Sequence, residues 1–106
     1  AGQEEHWVAV RVDERHVNVW GFAHGGLIAT MAEFSLNSPA YVQDGPPTVI
    51  MQMNMGFIAP PKKGDVFEAC GVLTKGTRTM FFTESKGYAG GALIFTATGI
   101  IKALKG

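Results

Sequence analysis

The sequence predicts an α+β fold: one long helix laid across an antiparallel sheet that wraps it. Two observations carry this reading. Apolar residues recur at helical spacing over about residues 25–38. Most of the remaining chain alternates with a period of two and is cut by Gly- and Pro-rich turns. No repeat, low-complexity tract or linker interrupts the pattern, so residues 1–106 read as one domain.

In order along the chain, His6 to Asp13 alternates, with Val8, Val10 and Val12 on one side and Trp7, Ala9 and Arg11 on the other. That is a half-buried strand. Residues 14–23 form a connection, with Asn18 and Gly21 as breakers. From Gly25 to Ser38, one helical stripe holds Leu27, Ile28, Met31, Phe34 or Ser35, and Ser38. A second holds Gly26, Thr30, Glu33 and Asn37. Pro39 should stop the helix by pushing Ser38 out of helical geometry. Asp44-Gly45-Pro46-Pro47 reads as a loop.

Four strands follow. Thr48 to Ala59 alternates through Val49, Met51, Met53, Met55 and Phe57. The methionines fall at strand spacing on an apolar face, which predicts core packing rather than a cofactor box. After the turn 60–65 come Val66 to Lys75, a break at Gly76-Thr77, and Arg78 to Tyr88. Gly90-Gly91 is a hairpin turn into Ala92 to Leu104.

Composition narrows the function classes. Hydrophobic residues make up 46% and charged residues 17%, so a second subunit is expected to cover some apolar surface. No apolar run is long enough for a membrane helix, and no signal peptide is read at the start. The net charge is zero. Residues 1–59 nevertheless carry two Lys/Arg against six Asp/Glu, and residues 60–106 carry seven against three. The second half suits a small phosphorylated ligand and is too weakly basic for nucleic acid. Cys70 is the only cysteine, which fits a reducing cytoplasm. His6 and His16 have no partners at ligand spacing, so no metal is expected.

The chemically informative segment runs Asn18-Val-Trp-Gly-Phe-Ala-His24-Gly25-Gly26, with Glu33 nine positions after the histidine. The first amides of a helix lack internal acceptors, and the helix dipole makes that end partly positive. Two glycines there let a ligand come close to those amides, a place to hold a developing oxyanion. On its own, Glu33 reads first as a solvated member of the polar stripe with Thr30 and Asn37.

The spacing N-x-x-G-x-x-H-G-G with a following acid resembles the hotdog-fold acyl-CoA thioesterases, both the phenylacetate-pathway (PaaI-like) and the 4-hydroxybenzoyl-CoA types. Phe57-Ile-Ala-Pro60 with Gly64-Asp65, Lys75-Gly-Thr-Arg-Thr79 and Ala92 to Gly99 resemble later parts of that family, in order. The resemblance implies a hotdog fold, one central helix wrapped by a curved antiparallel sheet. It implies hydrolysis of an acyl-CoA, aryl or medium-chain, to free acid and coenzyme A. Family members carry a further N-terminal segment before the first strand, and this chain is expected to start after it.

The roles implied by the resemblance are these. Gly25, with Gly26, polarises the thioester carbonyl. Glu33 attacks that carbonyl or activates a water. Asn18 orients the water or the thioester, and His24 shapes the loop. Thr30 and Asn37 face the substrate. Lys62, Lys63, Lys75, Arg78 and Thr79 are the candidates to meet coenzyme A, Arg78 first. No cofactor is implied beyond the coenzyme A of the substrate. Gly25 and Glu33 lie eight residues apart, about 12 Å along a helix. A glutamate cannot reach a carbonyl held at the start of its own helix. If both act on one carbon, they come from different subunits of a two-fold dimer. The resemblance implies the same arrangement, with dimers pairing as a tetramer.

Two other readings stay open: a non-catalytic acyl-CoA binding or sensing module, and a hotdog dehydratase or hydratase using His24 with Glu33. A serine hydrolase is disfavoured, because no G-x-S-x-G elbow is present.

Overall fold

The computed structural model describes residues 4–41 and 45–104. Strand β1 (His6–Arg11) leads through a 3-10 turn at Glu14–His16 to helix α1 (Gly25–Asn37). Strands β2 (Thr48–Phe57), β3 (Val66–Gly76), β4 (Met80–Ala89) and β5 (Ala92–Ala103) follow. All neighbours pair antiparallel in the order β1-β3-β4-β5-β2. One helix against one five-stranded antiparallel sheet is the hotdog arrangement expected. Asp44 of the expected 44–47 loop lies outside the described residues.

The core forms where α1 meets one face of the sheet. Ile28, Met31, Ala32, Ser35 and Leu36 are buried on the helix, opposite Phe67 and Ala69 of β3 and Phe95, Ala97 and Ile101 of β5. Phe67 and Phe95 meet edge to face at 6.0 Å. Ser35, rather than Phe34, takes the buried stripe. Its hydroxyl donates to the Met31 and Ala32 carbonyls, so a polar group sits in the core at little cost. The helix lies so close to the sheet that a Cβ on Gly71 would overlap the Ser35 carbonyl.

Most boundaries hold to within two residues, and the differences have local causes. Pro39 does end α1, but Ser38 stays helical at φ −54°, ψ −43°. The chain tightens into a 3-10 turn at Ser38–Ala40 instead, with Pro39 in its first turn, where a missing N–H costs nothing. Strand β4 begins at Met80, not Arg78, because Thr77 and Met80 close a turn across both backbone and hydroxyl. The Gly90-Gly91 hairpin is as expected, both residues at positive φ.

The methionine alternation in β2 needs correction. A β-bulge falls between Ile50 and Gln52, and Met51 is the extra residue. Side chains on either side of it are therefore out of phase. Ile50, Met53 and Met55 pack against the core, whereas Val49 and Phe57 are exposed and Met51 is 59% exposed. Met51 thus faces outward on an edge strand.

Gly71→Ala should lower the free energy of unfolding by about 3 kcal/mol, because the helix must lift off its seat. Gly26→Ala, where a Cβ would meet nothing within 4 Å, should stay within about 0.5 kcal/mol of wild type. Urea denaturation of both variants checks the contrast.

Candidate active site

The start of α1 is built by a small hairpin locked onto a neighbouring turn. At the end of β1, Val12 N–H donates to the Asp65 carbonyl at 2.9 Å, and Gly64 N–H donates to the Val12 carbonyl at 2.7 Å. Asp13 then caps the 3-10 turn. Its Oδ1 accepts the Arg15 N–H at 2.9 Å, while its own N–H donates to His16 Nδ1 at 3.0 Å. The Arg15 side chain also donates to both oxygens. These bonds, the Arg15 side chain foremost and its amide next, hold the exposed Asp13 carboxyl down at about 2.

From there the chain folds back on itself. Val17 bridges Ala23, and Phe22 bridges Lys62. Ala23 N–H donates to the Pro61 carbonyl at 2.8 Å, and Lys63 N–H to the Gly21 carbonyl at 3.0 Å. The tip is closed by Asn18, whose Oδ1 accepts N–H groups from Trp20 at 3.0 Å and Phe22 at 3.3 Å. Val19 and Trp20 at the tip are 90% and 76% exposed.

His24 completes the hairpin through its N–H, which donates to the His16 carbonyl at 2.8 Å. It is the N-cap of α1 in extended geometry, and its carbonyl accepts Leu27 N–H at 3.1 Å. Its ring makes no capping bond. Gly25 and Gly26 therefore stand as the first two residues of a helix, where amides have no intrahelical acceptor. Both are exposed, and the space where a Cβ would sit is open. Beside them a groove of about 670 Å³ is lined by Asn18, Val19, His24 and Lys63, with Lys63 Nζ paired to Glu14 at 3.0 Å.

The other sequence-predicted residues spread along the helix. Thr30 donates its hydroxyl to the Gly26 carbonyl at 2.8 Å, a bond within the helix. Glu33 is exposed one turn further on, beside the 59% exposed Phe34. Asn37 accepts a bond from the Thr48 hydroxyl at 2.8 Å, tying the end of α1 to β2. Thr48 in turn faces Ala103, whose N–H donates to the Thr79 carbonyl.

Apart from Thr30 and Glu33 in the middle of the helix, the predicted residues fall into two groups. Asn18, His24, Gly25, Gly26 and Lys62 gather at the start of the helix. Asn37, Lys75, Arg78 and Thr79 belong to the opposite end, across the length of the 11-residue β3, on the order of 30 Å. Lys62 and the Lys75–Thr79 segment do not form one basic patch within a chain.

Sequence reasoning missed His16 and Asp13. Their carbonyl and capping contacts hold His24 in place. The signal was present as Asp and His three apart just after a strand, the spacing of a capping box. Among the described residues no group of His, Cys, Asp and Glu could hold a metal ion. None of their helices is long and apolar enough to cross a membrane.

Residues 21–94 match the family profile described as thioesterase superfamily. A Pseudomonas aeruginosa protein provisionally named an esterase is 33% identical over 95 residues, which cover 88% of this chain and 71% of that protein. Human acyl-coenzyme A thioesterase 13 is 36% identical over 77 residues, 71% of this chain and 54% of its own length. The chain thus spans about half the length of that relative. A mutant of the phenylacetic acid degradation protein PaaI from Thermus thermophilus superposes with a TM-score of 0.79 at 28% identity, covering 94% of this chain and 85% of that one.

Acid should loosen the hairpin before the sheet. Unfolded Asp13 takes up its proton near 3.8, whereas the folded carboxyl holds out to about 2. Its contribution is therefore fully present above about pH 4 and is lost as pH falls through 2. Amide exchange at Arg15 should rise over that window in wild type, and the rise should vanish in Asp13→Ala.

Proposed function

This chain belongs to the thioesterase superfamily, and from that premise we propose that it hydrolyses an acyl-CoA, aryl or medium-chain, to the free acid and coenzyme A. The observation that carries the reading is the pair of glycine amides opening α1 with an exposed carboxylate, Glu33, further along the same helix. The name of the human relative supports acyl-CoA as the substrate class.

In the proposed reaction the thioester carbonyl oxygen accepts from the Gly25 N–H, helped by Gly26 and the positive end of the helix. Negative charge that grows on that oxygen is stabilised where it develops. Glu33 of a second subunit takes a proton from a water that attacks the carbonyl carbon, or attacks that carbon itself to give an acyl–glutamyl anhydride, which water then hydrolyses to the free acid and the carboxylate. In either route the C–S bond breaks, and the thiolate leaves as coenzyme A after gaining a proton. Lys62 and Lys63 flank the helix start and would meet the phosphates of coenzyme A from one chain. Lys75, Arg78 and Thr79 would meet them from another.

A second copy of the chain is part of this proposal. Eight residues of helix separate Gly25 from Glu33 by about 12 Å, beyond the reach of a glutamate side chain. A two-fold pairing with antiparallel helices brings the start of one α1 beside the middle of the other. The same pairing draws together the two groups of candidate residues that a single chain keeps apart. Strand β2 sits at the edge of the sheet, with Met51 and Phe57 exposed along it. That edge and the exposed Phe34 are the surfaces we assign to the dimer, and two dimers would form the tetramer. The lone Cys70 fits a cytoplasmic location.

Free-thiol release from a panel of aryl and straight-chain acyl-CoAs tests the activity. Glu33→Ala should lower kcat by about 10²–10⁴-fold while leaving the fold intact. Near-normal turnover would remove Glu33 from the mechanism. Binding without release by wild type would point to a sensing module instead.

The shared site has its own test. Gly25→Val and Glu33→Ala should each be inactive, yet a mixture allowed to exchange subunits should regain up to about a quarter of wild-type activity, since half the dimers would hold one intact site. No recovery despite demonstrated exchange would mean that both groups act from one chain.

A further inference from the structure

We propose that His16 is a positioning residue whose imidazole keeps the Gly25 and Gly26 amides aimed while it is neutral and releases them when it takes up a proton. This deepens the thioesterase reading and rests on it. It places a proton-sensitive control outside the groups that touch the substrate.

The contacts of the ring fix its protonation state. The Asp13 N–H, which can only donate, points at His16 Nδ1 at 3.0 Å. That nitrogen therefore offers a lone pair, and the ring proton sits on Nε2. The ring thus closes one half of the capping box, and the Asp13 side chain closes the other. A second proton, arriving at Nδ1, turns the acceptor into a donor and leaves the Asp13 N–H facing it without an acceptor. An oxygen within reach of the new donor is Asp13 Oδ1, 3.4 Å away, which already accepts the Arg15 amide and Nε. The carboxylate attracts the added charge, but meeting it takes the ring off the Asp13 amide. The imidazole is only 20% exposed, so water does not simply replace the lost bond. Neutral and charged His16 therefore require different turns.

The same residue holds the helix start through its main chain. The His16 carbonyl accepts the His24 N–H at 2.8 Å, and the His16 N–H donates to the Asp13 carbonyl at 3.0 Å. The His24 carbonyl accepts the Leu27 N–H, and the Gly25 and Gly26 amides follow directly in the chain. No side-chain cap fixes this end, since the His24 ring makes no such bond. A turn that rearranges around the His16 ring therefore moves the carbonyl that anchors His24. An oxyanion donor displaced by about 1 Å can cost on the order of 10²-fold in rate. The charged groups around this turn are otherwise engaged. Arg15 is bonded to Asp13, Lys63 to Glu14, Arg11 to the Gly64 carbonyl, and Asp65 to the Lys62 amide. Histidine is the side chain that ordinarily changes charge in the neutral range, which leaves His16 and His24 at this end of the helix. Of the two, it is the His16 ring that accepts a backbone amide.

The test compares wild type with His16→Gln and His16→Ala between about pH 5 and about pH 8, the range in which a histidine changes charge. Glutamine keeps an oxygen for the Asp13 N–H, as capping boxes use it, and takes up no proton. Alanine removes the acceptor at every pH. Hydrolysis of an acyl-CoA that wild type cleaves is the activity readout. At about pH 8, His16→Gln should keep at least about half of the wild-type kcat, and His16→Ala should fall about 10-fold. KM should stay within about threefold of wild type in both, because the substrate's remote contacts are untouched. As the pH falls to about 5, wild-type kcat should drop about 10-fold further than that of His16→Gln. Acid limbs that run parallel in these two proteins would assign the loss to Glu33, His24 or another group, and the proposal falls. Hydrogen exchange at the Asp13 and His24 amides, taken relative to the intrinsic rate at each pH, is the second readout. Their protection should fall over this range in wild type and hold in His16→Gln. Wild-type protection that stays level overturns the proposal too, and that measurement needs no variant to fold. If wild type cleaves no acyl-CoA, the thioesterase reading fails by itself. The exchange comparison then still decides whether the His16 proton sets the helix start.

Discussion

The close seat of the helix on the sheet is the constraint on which the other features rest. The Ser35 carbonyl approaches β3 where Gly71 has no side chain, and a methyl group there would occupy the same space. Leu36, Met31 and Ile28 are then buried in one cluster with Phe67 and Phe95 and the aliphatic groups around them. Interiors packed this closely transmit displacement instead of absorbing it. Once the buried face of α1 is set, its other face is set as well. That is why Glu33 and Phe34 point away from the core.

Burial and exposure on α1 divide the work between stability and chemistry. The buried stripe needs only apolar groups and one self-satisfied serine. The exposed stripe carries a carboxylate that would be costly to bury alone. At its start, the helix leaves two glycine amides open to solvent because no side chain caps them. Thr30 and Asn37, which fall on the same stripe by spacing, are bonded to Gly26 and Thr48 within the chain. Polar residues at equal helical spacing therefore have unequal freedom to meet a ligand, and hydrogen bonding separates them.

The β2 edge shows how one extra residue redirects a surface. Without a bulge, Val49, Met51, Met53, Met55 and Phe57 would share one face. With Met51 inserted, Met53 and Met55 join the core while Val49 and Met51 face outward; Phe57, in phase with Met55, is exposed at the strand's end. The exposed edge and the outward Phe34 then offer apolar surface to a second copy, in keeping with a chain rich in hydrophobic residues for its charge. A two-fold contact there would also relieve the edge of its unpaired backbone groups.

The sequence by itself determined the fold class, the number and order of its main elements, and the cluster at the start of the helix. Period-two and period-3.6 patterns are local, and turns at Gly90-Gly91 or 60–65 are written in a few residues. The motif from Asn18 to Glu33 is likewise contiguous, so its spacing was legible. Only the tertiary structure decided that Ser35 and not Phe34 is buried, that Met51 is a bulge, and that Lys62 and Arg78 lie at opposite ends. Each of these depends on what another strand places opposite, and a one-residue shift in register reverses the face without changing the sequence pattern. The same holds for Asn18. Only the positions of the Trp20 and Phe22 amides show its side-chain oxygen turned into the loop.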